Sequence, residues 1–97
     1  MTAATRKGDL TAGHIWLPTP SIEGSPDVMV NGQPAVRVGD HFATHTLPAP
    51  PLSPHDSVSA QGSQTVFANN KAVTRVGDQT SCSDTVAIGS PNVFVGG

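Results

Sequence analysis

The chain contains four histidines and one cysteine, and their spacing from repeated Gly-Asp pairs could assemble a metal site. Imidazole nitrogen and thiolate sulfur are donors that Zn²⁺ prefers, and structural zinc sites are usually tetrahedral. Gly-Asp occurs three times, and each Asp is followed four or five residues later by a potential ligand: His14, His45 or Cys82. Equivalent positions in three repeated loops can converge on one ion.

A fourth donor, His55, lies at the far end of the longest loop, which runs from Asp40 to Gly62. A loop of this length can turn back and bring His55 to the other three donors. The remaining histidine, His41, directly follows Asp40, where neither other repeat has a histidine; it is either a further ligand or a side chain that braces the loop. The alternative for the whole set is unrelated surface histidines and a buried thiol.

Three repeated units would position these donors. Fifteen residues separate Gly-Ser from the next Gly-Asp in both complete units, whereas the spacing from Gly-Asp to Gly-Ser varies between 12 and 23. The constant part predicts a hairpin: strand 28–30, a tight turn at Asn31-Gly32, and strand 35–38. Asn-Gly suits the positive φ values of a type I′ turn. Residues 66–68 and 73–76 repeat this pattern.

The third copy is interrupted. Its first strand, Val93–Val95, ends at Gly96-Gly97, and the segment that matches the missing second strand is Ala3–Arg6. We therefore expect the strand around Ala3–Arg6 to lie beside Val93–Val95. This pairing would close three units into an all-β object with pseudo-threefold symmetry.

Composition limits the function classes. With 97 residues, 36% hydrophobic and 4% aromatic, the chain predicts one domain with a thin core that needs a staple, and one cysteine cannot form an internal disulfide. A net charge of −2 with five Lys and Arg gives no basic patch for nucleic acid.

The sequence contains no apolar segment of the kind that targets or anchors a chain to a membrane. The polar residues Arg6–Asp9 interrupt the N-terminal stretch where a signal peptide would be apolar, and there is no run of about 20 apolar residues that would suggest stable membrane insertion. We expect synthesis and assembly in the cytoplasm.

Pro34-Ala35-Val36-Arg37 ahead of Gly39-Asp40 resembles the Pro-Ala-Ala-Arg motif of the PAAR-repeat family, the spike-tip proteins of bacterial type VI secretion systems. The copies at 3–9 and 71–78 are degenerate, and the second of them lacks the proline. The ending, 88–96, is similar to the closing segment of the family. The resemblance covers essentially the whole chain. It implies a small cone of short strands and hairpins, with a structural zinc ion near its apex.

The resemblance also implies a function. The blunt base of the cone would bind the end of the trimeric valine-glycine repeat spike protein (VgrG), one copy per trimer, and sharpen the spike for membrane piercing and effector delivery. The family's ligand pattern carries over to His14, His45, His55 and Cys82, with one Zn²⁺ per chain and no catalytic residues. We expect residues 1–97 to form a single domain without a fused effector domain, exported on the spike tip. A secretion system and a phage tail both remain open, as do the identities of the spike protein, the effector partners and the target cell.

A small zinc-dependent hydrolase is the alternative. If Cys82 did not coordinate, three histidines would leave a position for water, and Asp56 or Asp84 could act as general base. Against it, the chain has no H-E-x-x-H motif, and Glu23 is its only glutamate. A free-standing adhesion module is a third class, supported only by the predicted β-structure. For the repeated Arg and Asp residues we favour a structural pairing over catalysis.

Overall fold

The structure, a computed structural model, describes residues 2–13, 18–45 and 55–96, and the side chains at 45, 55 and 56 lie outside that description. These residues form an all-β fold of short strands in antiparallel pairs. The molecule measures 40 × 23 × 21 Å along its principal axes. No helix suited to crossing a membrane occurs in this part of the chain. The strands are β1 (Thr2–Ala3), β2 (Met29–Val30), β3 (Gln33–Pro34), β4 (His41–His45), β5 (His55–Val58), β6 (Phe67–Ala68), β7 (Lys71–Ala72) and β8 (Phe94–Val95).

Two of the antiparallel pairs are tight hairpins. Strand β2 pairs with β3, and β6 pairs with β7. Both central residues of each turn have positive φ, as in a type I′ turn: 54° and 77° at Asn31 and Gly32, and 54° and 65° at Asn69 and Asn70. The turns are therefore where the sequence predicts them. The return strands differ, because they begin directly after the turns and end before residues 35 and 73.

The two ends of the described chain pair with each other, as the interrupted third repeat predicts. Strand β1 is antiparallel to β8, with Thr2 opposite Val95 and Ala3 opposite Phe94. The backbone N–H of Ala4 then donates to the carbonyl oxygen of Val93 at 3.0 Å. The N-terminal segment thus supplies the second strand of the third hairpin.

The segments that follow the return strands pair with one another across the repeats. Isolated bridges join Arg6 to Ala35, Arg37 to Val73 and Ala4 to Arg75. At the centre, three backbone hydrogen bonds form a closed ring: Val36 donates to Thr5 at 3.0 Å, Thr5 donates to Thr74 at 3.0 Å, and Thr74 donates to Val36 at 2.9 Å. All three residues are fully buried. We call this arrangement the central ring; it corrects the prediction that 35–38 and 73–76 are simple hairpin strands.

The interior is more polar than apolar. Among the described residues, sixteen buried residues are polar or charged and nine are hydrophobic, so hydrogen bonding must satisfy much of the core. The main apolar cluster contains Ala4, Val30, Ala35, Ala68, Val73 and Val95. A second, smaller cluster contains Val36, Phe42 and Val86. The thin core predicted from composition is confirmed for the described residues.

The glycine of each Gly-Ser pair lies where the backbone of another segment comes too close for a side chain. A Cβ on Gly62 would lie 2.8 Å from the carbonyl oxygen of Val73, and Gly24 and Gly89 are equally crowded by backbone oxygens at 2.9 and 2.8 Å. The serine that follows then accepts backbone N–H groups two and three residues later, as Ser63 does from Thr65 at 3.1 Å and Val66 at 2.9 Å. The repeat spacing therefore reflects packing between backbones rather than chemistry.

Candidate metal centre

Two predicted ligands lie opposite each other on one ladder. Strands β4 and β5 are antiparallel, with Phe42 opposite Ser57 and His45 opposite His55, and the register shifts between the two pairs. Phe42 is fully buried and anchors the start of the ladder in the smaller apolar cluster. Directly opposed positions of an antiparallel pair have Cβ atoms about 5 Å apart. The register therefore makes neighbours of two imidazole-bearing positions.

The turn that carries Cys82 is attached to the same ladder. Ser81 donates its backbone N–H to the carbonyl oxygen of Val58 at 2.8 Å, and Val58 donates its N–H to the Ser81 hydroxyl at 3.0 Å. A bridge between Ser59 and Thr80 extends this contact. Cys82 is half-buried, with its Sγ 3.3 Å from the Thr80 hydroxyl. Cys82 is thus held beside the strand that begins at His55.

The first loop reaches the same region from the other side of the Cys82 turn. Thr11 forms a bridge with Val86, and Ala12 donates its N–H to the carbonyl oxygen of Thr85 at 2.7 Å. Thr11 and Thr19 close the base of the loop, with the Thr11 N–H 3.0 Å from the Thr19 carbonyl oxygen. His14, the predicted ligand of this loop, lies outside the described residues.

The donor set fits Zn²⁺ in chemistry. The structure brings the backbone positions of His45 and His55 together and holds the turn of Cys82 against β5. The side chains of His14, His45 and His55 lie outside the description. Among the side chains that are described, there is no group of three or more His, Cys, Asp or Glu that could hold a metal. Nitrogen and sulfur donors from three separate segments are typical of a structural zinc site.

His41, whose role the sequence leaves open, contacts Glu23. It begins β4, is exposed, and its Nδ1 forms a hydrogen bond with Glu23 Oε1. The backbone N–H of His41 donates to the same oxygen at 2.8 Å. The side-chain hydrogen bond from His41 is the main cause that lowers the pKa of Glu23. This contact joins two loops at the surface and supports the bracing role.

Asp84, considered above as a possible general base, is fully buried. Its Oδ1 accepts the N–H of Thr85 at 2.8 Å, and its backbone N–H donates to the Thr80 hydroxyl at 3.2 Å. A carboxylate in this position shapes the Cys82 turn and is poorly placed to exchange protons with bulk water. Sequence reasoning missed this structural role. The available signal was that Asp84 lacks the arginine that stands three residues before each of the other buried aspartates, which sets it apart from the repeated pairs.

The repeated Arg and Asp residues form three nearly identical pairs, in which the three aspartates and Arg37 are buried while Arg6 and Arg75 are half-buried. Arg37 donates from Nε to Asp40 Oδ2 at 2.9 Å and from Nη2 to Asp40 Oδ1 at 2.9 Å, while its backbone N–H also reaches Oδ2 at 2.8 Å. Arg6 with Asp9, and Arg75 with Asp78, repeat this arrangement. The hydrogen bond to Asp40 is the main cause that raises the pKa of Arg37. The geometry supports the structural role predicted for these residues.

Comparison with known proteins agrees with this architecture. The chain belongs to the PAAR motif family, whose model matches residues 49–97. It is similar to two toxins of Pseudomonas aeruginosa, the NAD(P)(+) glycohydrolase toxin Tse6 of strain PAO1 and the (p)ppApp synthetase toxin Tas1 of strain UCBPP-PA14. Each is 36% identical over 88 residues, which cover 84% of this chain and 20% of the relative. The chain thus spans about a fifth of the length of these curated relatives.

Proposed function

We propose that this chain is the zinc-stabilised tip of a contractile injection machine of the type VI secretion or phage-tail class. Its base caps the trimeric VgrG-like spike, one copy per trimer, and its point pierces the target membrane. The tip acts as a structural and delivery part and has no catalytic residues. Membership of the PAAR motif family supports this assignment.

The central ring is the observation that carries the proposal. One chain supplies three equivalent donors and acceptors, at Thr5, Val36 and Thr74, with hydrogen bonds of 2.9 to 3.0 Å. Directly after each ring residue comes the arginine of one of the three matched Arg–Asp pairs. We infer pseudo-threefold symmetry from this recurrence. Such a chain can present three similar surfaces to three identical subunits, as one cap on a threefold spike requires.

The zinc ion is the second part of the proposal. We assign His45, His55 and Cys82 as ligands, together with His14, and place the site at the end of the molecule that carries the β4–β5 ladder. Bound zinc would cross-link three loops close to the small apolar cluster of Val36, Phe42 and Val86, which contains three of the nine buried hydrophobic residues among those described. Structural zinc contributes free energy of folding directly, so it would act as the staple that a polar interior of this kind needs.

The relatives support a role in delivery. Both are named as toxins, and the part that resembles this chain covers 20% of each. We propose that this part is their delivery module, and that the present chain performs the same task for effector proteins. It would be exported with the spike on which it sits.

The proposal is tested by co-purification of the chain with the spike trimer encoded in the same cell. A stable complex is expected. The hydrolase alternative is tested separately by substituting Co²⁺ for the native metal. A thiolate-to-metal charge-transfer band without exchangeable water would indicate a closed four-ligand site, whereas a spectrum of three nitrogens with bound water would favour the hydrolase.

A further inference from the structure

Asn31, in the turn between β2 and β3, carries a carboxamide that two other segments of the chain hold in place. Its Oδ1 accepts a hydrogen bond from the Ser90 hydroxyl at 2.5 Å and another from Arg6 Nη1 at 3.3 Å. Its Nδ2 donates to Asn92 Oδ1 at 2.8 Å. We call these three contacts the Asn31 clasp. Ser90 and Asn92 lie just before β8, so the clasp joins the first hairpin to the interrupted repeat.

Pairing of the chain ends supports the clasp. The backbone N–H of Ser90 donates to the carbonyl oxygen of Ala4 at 2.8 Å, and the N–H of Ala4 donates to the carbonyl oxygen of Val93 at 3.0 Å. The Ser90 hydroxyl also accepts the N–H of Val93 at 2.8 Å. Separation of β1 from β8 would therefore loosen the segment that holds the amide of Asn31.

The residue after Asn31 is a glycine, and this pair of residues can react with itself. Asn31 and Gly32 are both exposed. In the part of the chain that the structure describes, the N–H of Gly32 donates no hydrogen bond. A Cβ built on Gly32 would meet no group within 4 Å other than its chain neighbours. The Gly32 nitrogen is thus open to reaction, whereas the clasp fixes the carbonyl carbon that it would attack.

We propose that Asn31 is a site of spontaneous deamidation and that the clasp holds the reaction back. After losing its proton to hydroxide, the Gly32 nitrogen forms a bond to Cγ of Asn31, and the Cγ–Nδ2 bond breaks with release of ammonia. Water then opens the five-membered succinimide at either carbonyl, which leaves aspartate or isoaspartate at position 31. Water is the only co-reactant, and no group is oxidised or reduced. The reaction depends on neither the zinc site nor the spike.

Either product would weaken the closure of the third repeat. An aspartate can still accept from Arg6 and Ser90, but it lacks the Nδ2 donor and places an oxygen against Asn92 Oδ1. An isoaspartate leads the backbone through Cβ and Cγ, which lengthens a turn whose type I′ geometry fits two ordinary residues. Opening of the clasp therefore permits the reaction, and the reaction prevents the clasp from forming again.

The second hairpin provides an internal control. Asn69 has the same φ of 54°, and its Oδ1 accepts from Ser25 at 2.5 Å and from Arg37 Nη1 at 3.0 Å. Its Nδ2 donates to Asp27 Oδ2 at 2.8 Å. The next residue is Asn70 rather than glycine, and its side chain hinders attack by its own nitrogen. The φ of 65° at Asn70 also shows that this turn position accepts asparagine.

Peptide mapping by mass spectrometry tests the proposal on the full chain after incubation in mildly alkaline buffer. Asn31 should deamidate at least about tenfold more slowly in the folded chain than in guanidinium chloride, because the clasp must open first. Asn92→Ala removes an exposed partner and should speed the reaction in the folded chain about threefold to tenfold, as the loss of one hydrogen bond would. Asn69 should react far more slowly than Asn31 in guanidinium chloride and should not respond to Asn92→Ala.

Gly32→Asn copies the second turn and identifies the nucleophile. It should suppress deamidation at Asn31 even in guanidinium chloride, and a rate equal to that of the unmodified chain would overturn the mechanism. Equal rates at Asn31 in the folded and unfolded chain would show that the clasp gives no protection. An unchanged rate in Asn92→Ala, with an unchanged circular dichroism spectrum, would exclude Asn92 from that protection. If Asn92→Ala does not fold, the comparison of folded and unfolded unmodified chain still decides whether the fold protects Asn31.

Discussion

His45 and His55 are directly opposed on the antiparallel strands β4 and β5. This register is the structural basis for the zinc proposal, because it makes neighbours of two predicted ligands that are ten residues apart in sequence. Protein purified without added metal should therefore contain about one zinc per chain, as measured by mass spectrometry of metals. A metal-free chain that is fully folded, or stoichiometric iron, would contradict the assignment.

Substitution of the ligands should unfold the tip at lower temperature. Structural zinc sites contribute on the order of 10 kcal/mol to folding in zinc-finger peptides. The polar interior described above provides little hydrophobic stabilisation to replace it. Calorimetric melting of Cys82→Ser, His14→Ala, His45→Ala and His55→Ala should show a large loss for each. His41→Ala is the matched control and should melt close to the unmodified protein, because His41 is bonded to Glu23 at the surface. A silent His55→Ala with a damaging His41→Ala would mean that the fourth ligand is misassigned.

The buried Arg37–Asp40 pair should contribute strongly to stability. Their side chains are 11% and 3% exposed, so Arg37→Gln would leave a buried carboxylate without its cation. Removing one partner of a buried ion pair typically costs about 3–5 kcal/mol. Urea unfolding should show a loss of this size. Lys7→Gln removes the same charge from an exposed site and should have little effect; equal losses in the two variants would contradict the argument.

Glu23 should titrate at unusually low pH. Its contact with His41 lowers the pKa of the carboxyl below the ordinary 4.5. A lowered pKa in the folded state means that the contribution to stability is present above pH 4.5 and is lost as the pH falls through the folded-state value. NMR titration should show this pKa rising when His41→Ala removes the side-chain hydrogen bond. An unchanged Glu23 pKa in that variant would exclude His41 as its cause.

The sequence predicted the hairpin turns and the pairing of the chain ends, because each follows from a local signal. Asn31-Gly32 specifies positive φ at two adjacent positions, and Ala3–Arg6 carries the pattern of a return strand that the third repeat lacks. The central ring could not be predicted in this way. Its partners, Thr5, Val36 and Thr74, are more than 30 residues apart, and no local periodicity encodes which repeat pairs with which.

The candidate site was predicted from repeat spacing and from the family resemblance. Similar spacings of four or five residues from Gly-Asp pointed to His14, His45 and Cys82, and the structure holds the Cys82 turn against β5. The burial of Asp84 could not be inferred from spacing, because Asp84 stands outside the repeated Arg–Asp pattern. The assignment of His14, His45, His55 and Cys82 as zinc ligands stays a prediction, as does the assignment of residues 1–97 to a single domain.

Removal of strand β1 should separate spike binding from metal binding. Deleting residues 1–3 leaves the central ring and the β4–β5 ladder intact but exposes the edge of β8, so the third hairpin is lost. Co-purification with the spike and secretion should fail while zinc is retained. A charge at Val95 is a poorer test, because Val95 is buried in the main apolar cluster and its substitution would damage the core. Normal capping after the deletion would show that closure of the third repeat is dispensable.

The ratio of tip chains to spike chains tests the central claim most directly. A single chain with three matched pairs around one ring should occupy all three subunits of the spike at once. Native mass spectrometry of the purified complex should therefore give one tip chain per spike trimer, with one zinc ion. Three tip chains per trimer, each on its own subunit, would contradict the account.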